Sequence, residues 1–294
     1  MKRRVRIVGL GASLPGLRLL RRGSVARAVQ AGRRCLADAR RRPAEVGLLI
    51  HAGVTRDHHV CEPANAAYIQ HRLGINVEFQ GARTLAFDLG NGGCGMIDAA
   101  HVLCALLQEG APRCGLVTAS EGNSDWRAKG DRPCPESGAA VLLELSPQPA
   151  TGFGGFAFIT RSEHADMATT AVSLAEARGR LRVRRDPGLE ERWLEMAGPV
   201  VDEALARDGL DRGRVERVIP AQISAGFLAR LPQAIGMPVE KVADHSLALP
   251  DTLSTSVFLA LHREWRLRPP ASGQTVLLLA FGSGLSAAAA TYHA

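Results

Sequence analysis

The sequence predicts an α/β protein made of two consecutive strand–helix halves, and three observations carry that prediction. Apolar strand-like runs alternate with helical patterns along the chain. The order of segments in the first half returns in the second, which is the mark of an internal duplication. A glycine-rich turn, Gly90-Asn91-Gly92-Gly93-Cys94-Gly95-Met96, joins a strand to a helix, the elbow expected where an α/β protein places chemistry. The halves are expected at 1–150 and 151–294, stacked on a shared site.

Taken in order, Val5 to Gly9 reads as a first strand. The Gly9-x-Gly11 after it lacks a third glycine, and Pro15 interrupts the helix that should follow, so a dinucleotide-binding reading is rejected. A helix fits Ser24 to Arg40, with Ser24 as N-cap. Val46 to Ile50 is a continuous apolar run, expected for a strand buried on both faces. Pro63 to Leu73 reads as a helix closed by Gly74, and Thr84 to Leu89 as a strand feeding the elbow. Ile97, Ala100, Cys104 and Leu107 then recur at helical spacing, and strands follow at Cys114 to Ser120 and Gly138 to Leu145. In the second half, helices fit Leu194 to Arg207, Ala225 to Ile235 and Thr252 to Trp265. Strands fit Val215 to Pro220, Val242 to Leu249 and Thr275 to Phe281, the last ending in Gly282-Ser283-Gly284. The run Val46 to Ile50 followed by Tyr68 to Ile75 mirrors Val215 to Ile219 followed by Leu231 to Met237, and the Cys94 elbow mirrors Pro250-Asp251-Thr252.

Cys94 on such an elbow is a candidate nucleophile. Glycines permit close backbone approach, and the N–H groups opening a helix favour a thiolate and can cradle an oxyanion. A buried structural cysteine in a glycine turn is the competing reading.

Composition narrows the class. The 294 residues, 46% hydrophobic and 22% charged, suffice for a full core. No stretch is long and apolar enough to span a membrane, and the N-terminus has no signal-peptide pattern, so a cytoplasmic location is expected. The six cysteines show no C-x-x-C pair or metal-ligand rhythm; no metal, disulfide or cofactor is expected. A net charge of +7 comes from arginine clusters such as Arg21-Arg22, Arg40 to Arg42 and Arg180 to Arg185, and with 4% aromatics it reads as a solvated basic face, not a nucleic-acid site. An acidic carrier protein or a phosphate-bearing substrate would also suit that charge.

Read together, Arg4 to Pro15, the Ala86 to Met96 elbow, Gly138 to Leu142, Val218 to Gln222, Asp251 to Leu261 and Ala280-Phe281-Gly282-Ser283-Gly284 resemble the thiolase-fold condensing enzymes, and within them the β-ketoacyl carrier-protein synthase III group. The resemblance implies a five-layered αβαβα architecture, a dimer, and acyl transfer or condensation through a cysteine thioester in fatty-acid or polyketide-type biosynthesis. Partners would be an acyl carrier protein or acyl-CoA donor and a second condensing-enzyme subunit, identical or different. Cys94 takes the place of the family nucleophile, and its N–H with that of the Gly282-Ser283-Gly284 turn would form the oxyanion hole.

The chain departs from the family where the other catalytic groups stand. The family reads Pro-His-Gln-Ala-Asn where this chain reads Pro220-Ala221-Gln222-Ile223-Ser224, so Ala221 replaces the histidine; Gln222 and Ser224 are expected at the substrate. The family asparagine is Asp251 here, resembling relatives that pass the acyl group to an alcohol or amine. His245 is the candidate replacement base, with a strand histidine bonded to backbone as the plainer reading. His58, His59 and His101 are weighed below it, as loop or packing residues. The segment that grips the adenine of coenzyme A in relatives is missing, and Trp126, Trp193 and Trp265 do not fall in its place, which favours carrier-bound donors. These losses also suit a catalytically degenerate subunit paired with a complete condensing enzyme.

Overall fold

The computed structural model describes residues 3–14, 23–77, 82–110, 112–122, 134–172 and 181–294. Pro15, Arg21-Arg22, Trp126 and Arg180 lie outside them. In the first half β1 (Val5–Ser13) is followed by α1 (Ser24–Asp38), β2 (Val46–Ala52), α2 (Asn65–Leu73), β3 (Leu85–Asp88), α3 (Gly95–Gln108), β4 (Cys114–Glu121) and β5 (Ser137–Leu145). The second half runs through β6 (Gly152–Thr160), a hairpin of β7 (Ala168–Val172) and β8 (Leu181–Arg185), α4 (Leu189–Asp208), β9 (Val215–Pro220), α5 (Ala225–Ala234), α6 (Ser256–Leu267), β10 (Thr275–Gly282) and β11 (Ser286–His293).

The strand orders carry the duplication. The first sheet runs β1-β5-β4-β2-β3, the second β6-β11-β10-β9. In the first, β2 is parallel to β3 and β4, while β5 is antiparallel to β4 and β1. In the second, β9 and β10 are parallel, and β11 is antiparallel to β10 and β6. Where the first half has β3, the second has only the bridge Val218 to Val242. The strand expected at Val242 to Leu249 therefore does not form. Its backbone is diverted: the Gln222 side-chain oxygen takes the His245 N–H at 2.6 Å, and the His245 carbonyl takes the N–H groups of Ala248 and Leu249.

Three buried clusters define five layers. One holds Val25, Leu36 and Ile69 of α1 and α2 against Leu49, Leu116 and Leu142 of the first sheet. A central one packs Ile97 and Leu103 of α3 with Phe258 and Leu261 of α6 between the two sheets. The third sets Met196 and Val200 of α4 and Phe227 of α5 on Val218 and Leu277. Helix α4 starts at Leu189, a turn and more before the expected Leu194. It lies close on β6 because glycines there make room: a Cβ on Gly155 would sit 2.1 Å from the Ala204 carbonyl oxygen. Asp208 at its end ties the halves, accepting from Arg4 at 2.9 Å and from Thr291 at 2.6 Å, with His293 also at 2.6 Å.

Candidate active site

The two parallel-strand ends that face one another build the site. After β3 the chain turns through Asn91 into a 3-10 turn, Gly92–Cys94, that runs directly into α3. Small residues let this turn meet the end of β10. A Cβ on Gly93 would lie 2.0 Å from the Phe281 carbonyl oxygen, and one on Gly92, whose φ is +52°, would lie 3.2 Å from the Ser283 nitrogen. Asn91 braces the turn, its carbonyl accepting the Cys94 N–H at 3.0 Å and its amide donating to Asp98 at 2.5 Å.

That bracing changes two expectations about Cys94. Its N–H is committed to Asn91, so an oxyanion hole in this conformation cannot draw on it. Its thiol is 1% exposed, and burial pushes its pKa up to about 12, with nearby Asp98 adding to the rise. Desolvation outweighs the helix start that should favour the thiolate. The one polar side chain bonded to the sulfur among the described residues is Ser286 of β11, whose Oγ accepts from Sγ at 3.7 Å and donates to the Ser283 carbonyl at 3.2 Å.

Beside the Gly92–Gly93 turn lies a cavity of about 30 Å³, room for a water or two, and Cys94 itself is not among the residues that line it. Gly92 and Gly93 line it from the first half; Ala221, Asp251, Gly282 and Ser283 line it from the second. Ala221, expected where the family keeps its histidine, offers the cavity a methyl group. Asp251 accepts the Leu253 N–H at 2.9 Å and pairs with Arg185 of β8 at 3.2 Å; burial raises its pKa. The β7–β8 hairpin covers the cavity with Thr169, Thr170, Arg184 and Arg185. Trp193 of α4 forms another wall and donates its indole N–H to the Gly282 carbonyl at 3.2 Å.

Other expected site residues are placed elsewhere. His245 is turned to Glu264, Nε2 to Oε2 at 2.8 Å, and Arg217 pairs with the same carboxylate at 2.7 Å. Burial lowers its pKa against the pull of Glu264. It is not among the residues lining the cavity. Gln222 is a bracket: its amide nitrogen donates to the carbonyls of Pro220 and Ala243, and its oxygen holds His245. Ser224 caps α5, accepting from Phe227 and donating to Glu190. Gly284, with φ +74°, shapes the turn from outside the cavity lining. His58 and His59 lie in the turn at Asp57–His59, and exposed His101 stacks on Phe156 with ring centroids 4.7 Å apart. Trp193, Arg185 and Ser286 were not read from the sequence as site residues. Ser286 had a usable signal, two residues beyond a glycine turn and at the first inward position of a strand.

Among the described residues no group of His, Cys, Asp and Glu could hold a metal ion, and no helix is long and apolar enough to cross a membrane.

Comparison with known proteins places this geometry. The family model for the C-terminal part of 3-oxoacyl-[acyl-carrier-protein] synthase III matches residues 205–294. The β-ketoacyl-[acyl-carrier-protein] synthase III of Rhodospirillum rubrum is 31% identical over 274 residues, covering 88% of this chain and 81% of that protein. The corresponding protein of Bordetella petrii is 30% identical over 275 residues, covering 88% and 78%. Among solved structures, the priming β-ketosynthase of a polyketide biosynthetic pathway superposes with a TM-score of 0.85 at 23% identity, covering 99% of this chain and 96% of that one. The 3-oxoacyl-(acyl carrier protein) synthase III of Pseudomonas aeruginosa gives 0.84 at 21%, covering 99% and 98%. These likenesses establish the five-layered thiolase fold, and the two sequence matches of 30% and 31% go further: the chain belongs to the β-ketoacyl-[acyl-carrier-protein] synthase III family of condensing enzymes.

Proposed function

We propose that this chain receives an acyl group on Cys94 and hands it to an acceptor, in fatty-acid or polyketide-type biosynthesis. The carrying observation is the elbow itself, which keeps a thiol at a helix start against the Gly282–Ser283 turn although two of the expected catalytic groups are gone. Sulfur attacks the donor's thioester carbonyl, the carrier thiol leaves, and the Cys94 proton ends on the leaving sulfur. Donors are acyl groups on acyl carrier protein, after the relatives' names, or on coenzyme A.

The second step differs from carbon–carbon condensation. That reaction needs donors toward an enolate oxygen, and losing one costs roughly 3–4 kcal/mol by analogy with oxyanion-hole variants. Ala221 has nothing to donate, and an ionised Asp251 only accepts. Transfer to an alcohol or amine needs a proton acceptor instead, and Asp251 on the cavity wall supplies one. The halves 1–150 and 151–294 each give one elbow to this site.

We place the protein in the cytoplasm as a dimer, alike or mixed, joined through the open edge of β3. There Leu85 is 56% exposed, with Val77 and Tyr68 also exposed. Incubation with acyl donors followed by intact mass measurement should show an adduct on the wild type that is absent in Cys94→Ala. No adduct on either sinks the proposal. A second reading, a degenerate subunit beside a complete condensing enzyme, is favoured by the absence of an imidazole at the sulfur among the described residues. Activity of the chain purified alone as a homodimer overturns that reading.

A further inference from the structure

The sulfur of Cys94 has one bonded side chain among the described residues, and it belongs to the other half of the molecule. Ser286 opens β11 and is buried, 3% exposed. Its hydroxyl sits in space that Gly282 leaves open, since a Cβ on Gly282 would be 2.8 Å from Ser286 Oγ. It accepts from Cys94 Sγ at 3.7 Å and spends its own hydrogen on the Ser283 carbonyl at 3.2 Å. The chain of donors therefore runs from thiol to hydroxyl to the turn that lines the cavity.

We infer that Ser286 is a positioning residue for Cys94: its hydroxyl holds the thiol in the resting state and, when the thiol proton leaves to solvent, rotates its own hydrogen from the Ser283 carbonyl to the sulfur and holds the thiolate. A hydroxyl serves both states because it is donor and acceptor at once. Rotation costs the bond to Ser283 and gains one to a charged sulfur, which is the stronger kind. It also releases the Ser283 carbonyl, so ionisation of Cys94 is coupled to the freedom of the turn. In a chain with Ala221 in the histidine's place, this hydroxyl is the group positioned to favour the nucleophilic form. Its meaning for turnover rests on Cys94 being the acyl-accepting thiol proposed above; the ionisation itself does not.

The test titrates Cys94 in the full-length protein by the ultraviolet absorbance of its thiolate, taken as the difference between each variant and the same variant carrying Cys94→Ala. Ser286→Ala should lower the thiolate signal about tenfold at any pH well below the midpoint, because the midpoint itself moves to higher pH. Ser286→Thr should restore it, and Ser286→Val, which has the shape of threonine without the hydroxyl, should not. Thermal unfolding of each variant checks the fold, and the threonine–valine pair decides the matter should the alanine variant not fold. An unchanged titration in Ser286→Ala, or equal titrations in Ser286→Thr and Ser286→Val, overturns the inference. A shifted titration with no acyl adduct on the wild type leaves Ser286 in this role and removes the acyl-transfer reading instead.

Discussion

The two elbows stand in equivalent places of the two halves and are held by opposite means. The first is held by the absence of side chains: Gly92 and Gly93 let backbone meet backbone, and the thiol is sealed beneath. The second, at Asp251 to Ser256, is held by hydroxyl groups and carboxylates. Ser254 donates to buried Glu121 at 2.5 Å, Thr255 meets Ser137 at 2.8 Å, and Ser256 Oγ accepts the Gln222 N–H at 2.8 Å. Glu121 also accepts from Val54 and Thr55 of the first half, so the second elbow is anchored across the site through a buried carboxylate, while the first adds to its backbone contacts the longer bond from Cys94 to Ser286. Close contact fixes a nucleophile with little give; a bonded frame can carry a changed residue such as Asp251 without losing its place.

Breaking the first elbow should cost most. In Gly93→Ala the new methyl meets the Phe281 carbonyl at 2.0 Å, a backbone atom that cannot turn aside. Denaturant unfolding should show a loss of more than about 3 kcal/mol, the upper end of overpacking. A smaller loss would mean that the turn yields to the methyl group.

The ground beneath the first elbow carries a pH signature opposite in sign to that of the second. His51 of β2 accepts the Leu89 N–H on its carbonyl at 2.8 Å, while its ring is buried against Thr118 and its pKa is lowered by burial from 6.5 to about 4. The folded protein thus refuses a proton that the unfolded chain takes. The stability it contributes is complete above pH 6.5 and is lost as pH falls toward about 4. The loss should be on the order of 3 kcal/mol. Burial shifts Glu121 and Asp251 upward, which works in the other direction, so the contribution is read as the difference between wild type and His51→Gln across that window.

Ser254→Ala tests the bonded elbow more gently. It removes one of the donors to Glu121 and should cost about 1–3 kcal/mol with the fold otherwise intact. Arg185→Ala is the mildest. Its pair with Asp251 is partly exposed and contributes less than about 1 kcal/mol, so unfolding should barely change. Alkylation of Cys94 should nonetheless quicken, because the hairpin over the cavity loses its tie; an unchanged rate means that the hairpin does not govern access.

The sequence carried the elbows better than what lies between them. Apolar runs and helical spacing made β2, α3, β9 and β10 legible, and the duplicated order placed both elbows. Strand β11 was missed because its core is alanine, Ala287 to Ala290, a residue with little preference for strands that is buried here by its neighbours on both sides. Strand β6 was hidden by the glycines that admit α4. At the site, the family resemblance pointed to Cys94, Asp251 and Ala221, and the last two line one cavity beside the Cys94 turn. The direction in which a side chain points is settled by tertiary packing, so His245, which turns to Glu264, and Trp193, which turns to Gly282, were beyond reach.

The order of strands has a consequence for how the molecule is made. In each sheet the first strand in sequence joins through the last one: β1 pairs with β5, and β6 with β11. A chain emerging from the ribosome therefore holds β1 without its partner until β5 has left the tunnel, and β6 waits in the same way for β11. Each half closes only when its final strand slides in beside its first. Because β11 also brings Ser286, the strand that closes the second sheet also completes the surroundings of the thiol.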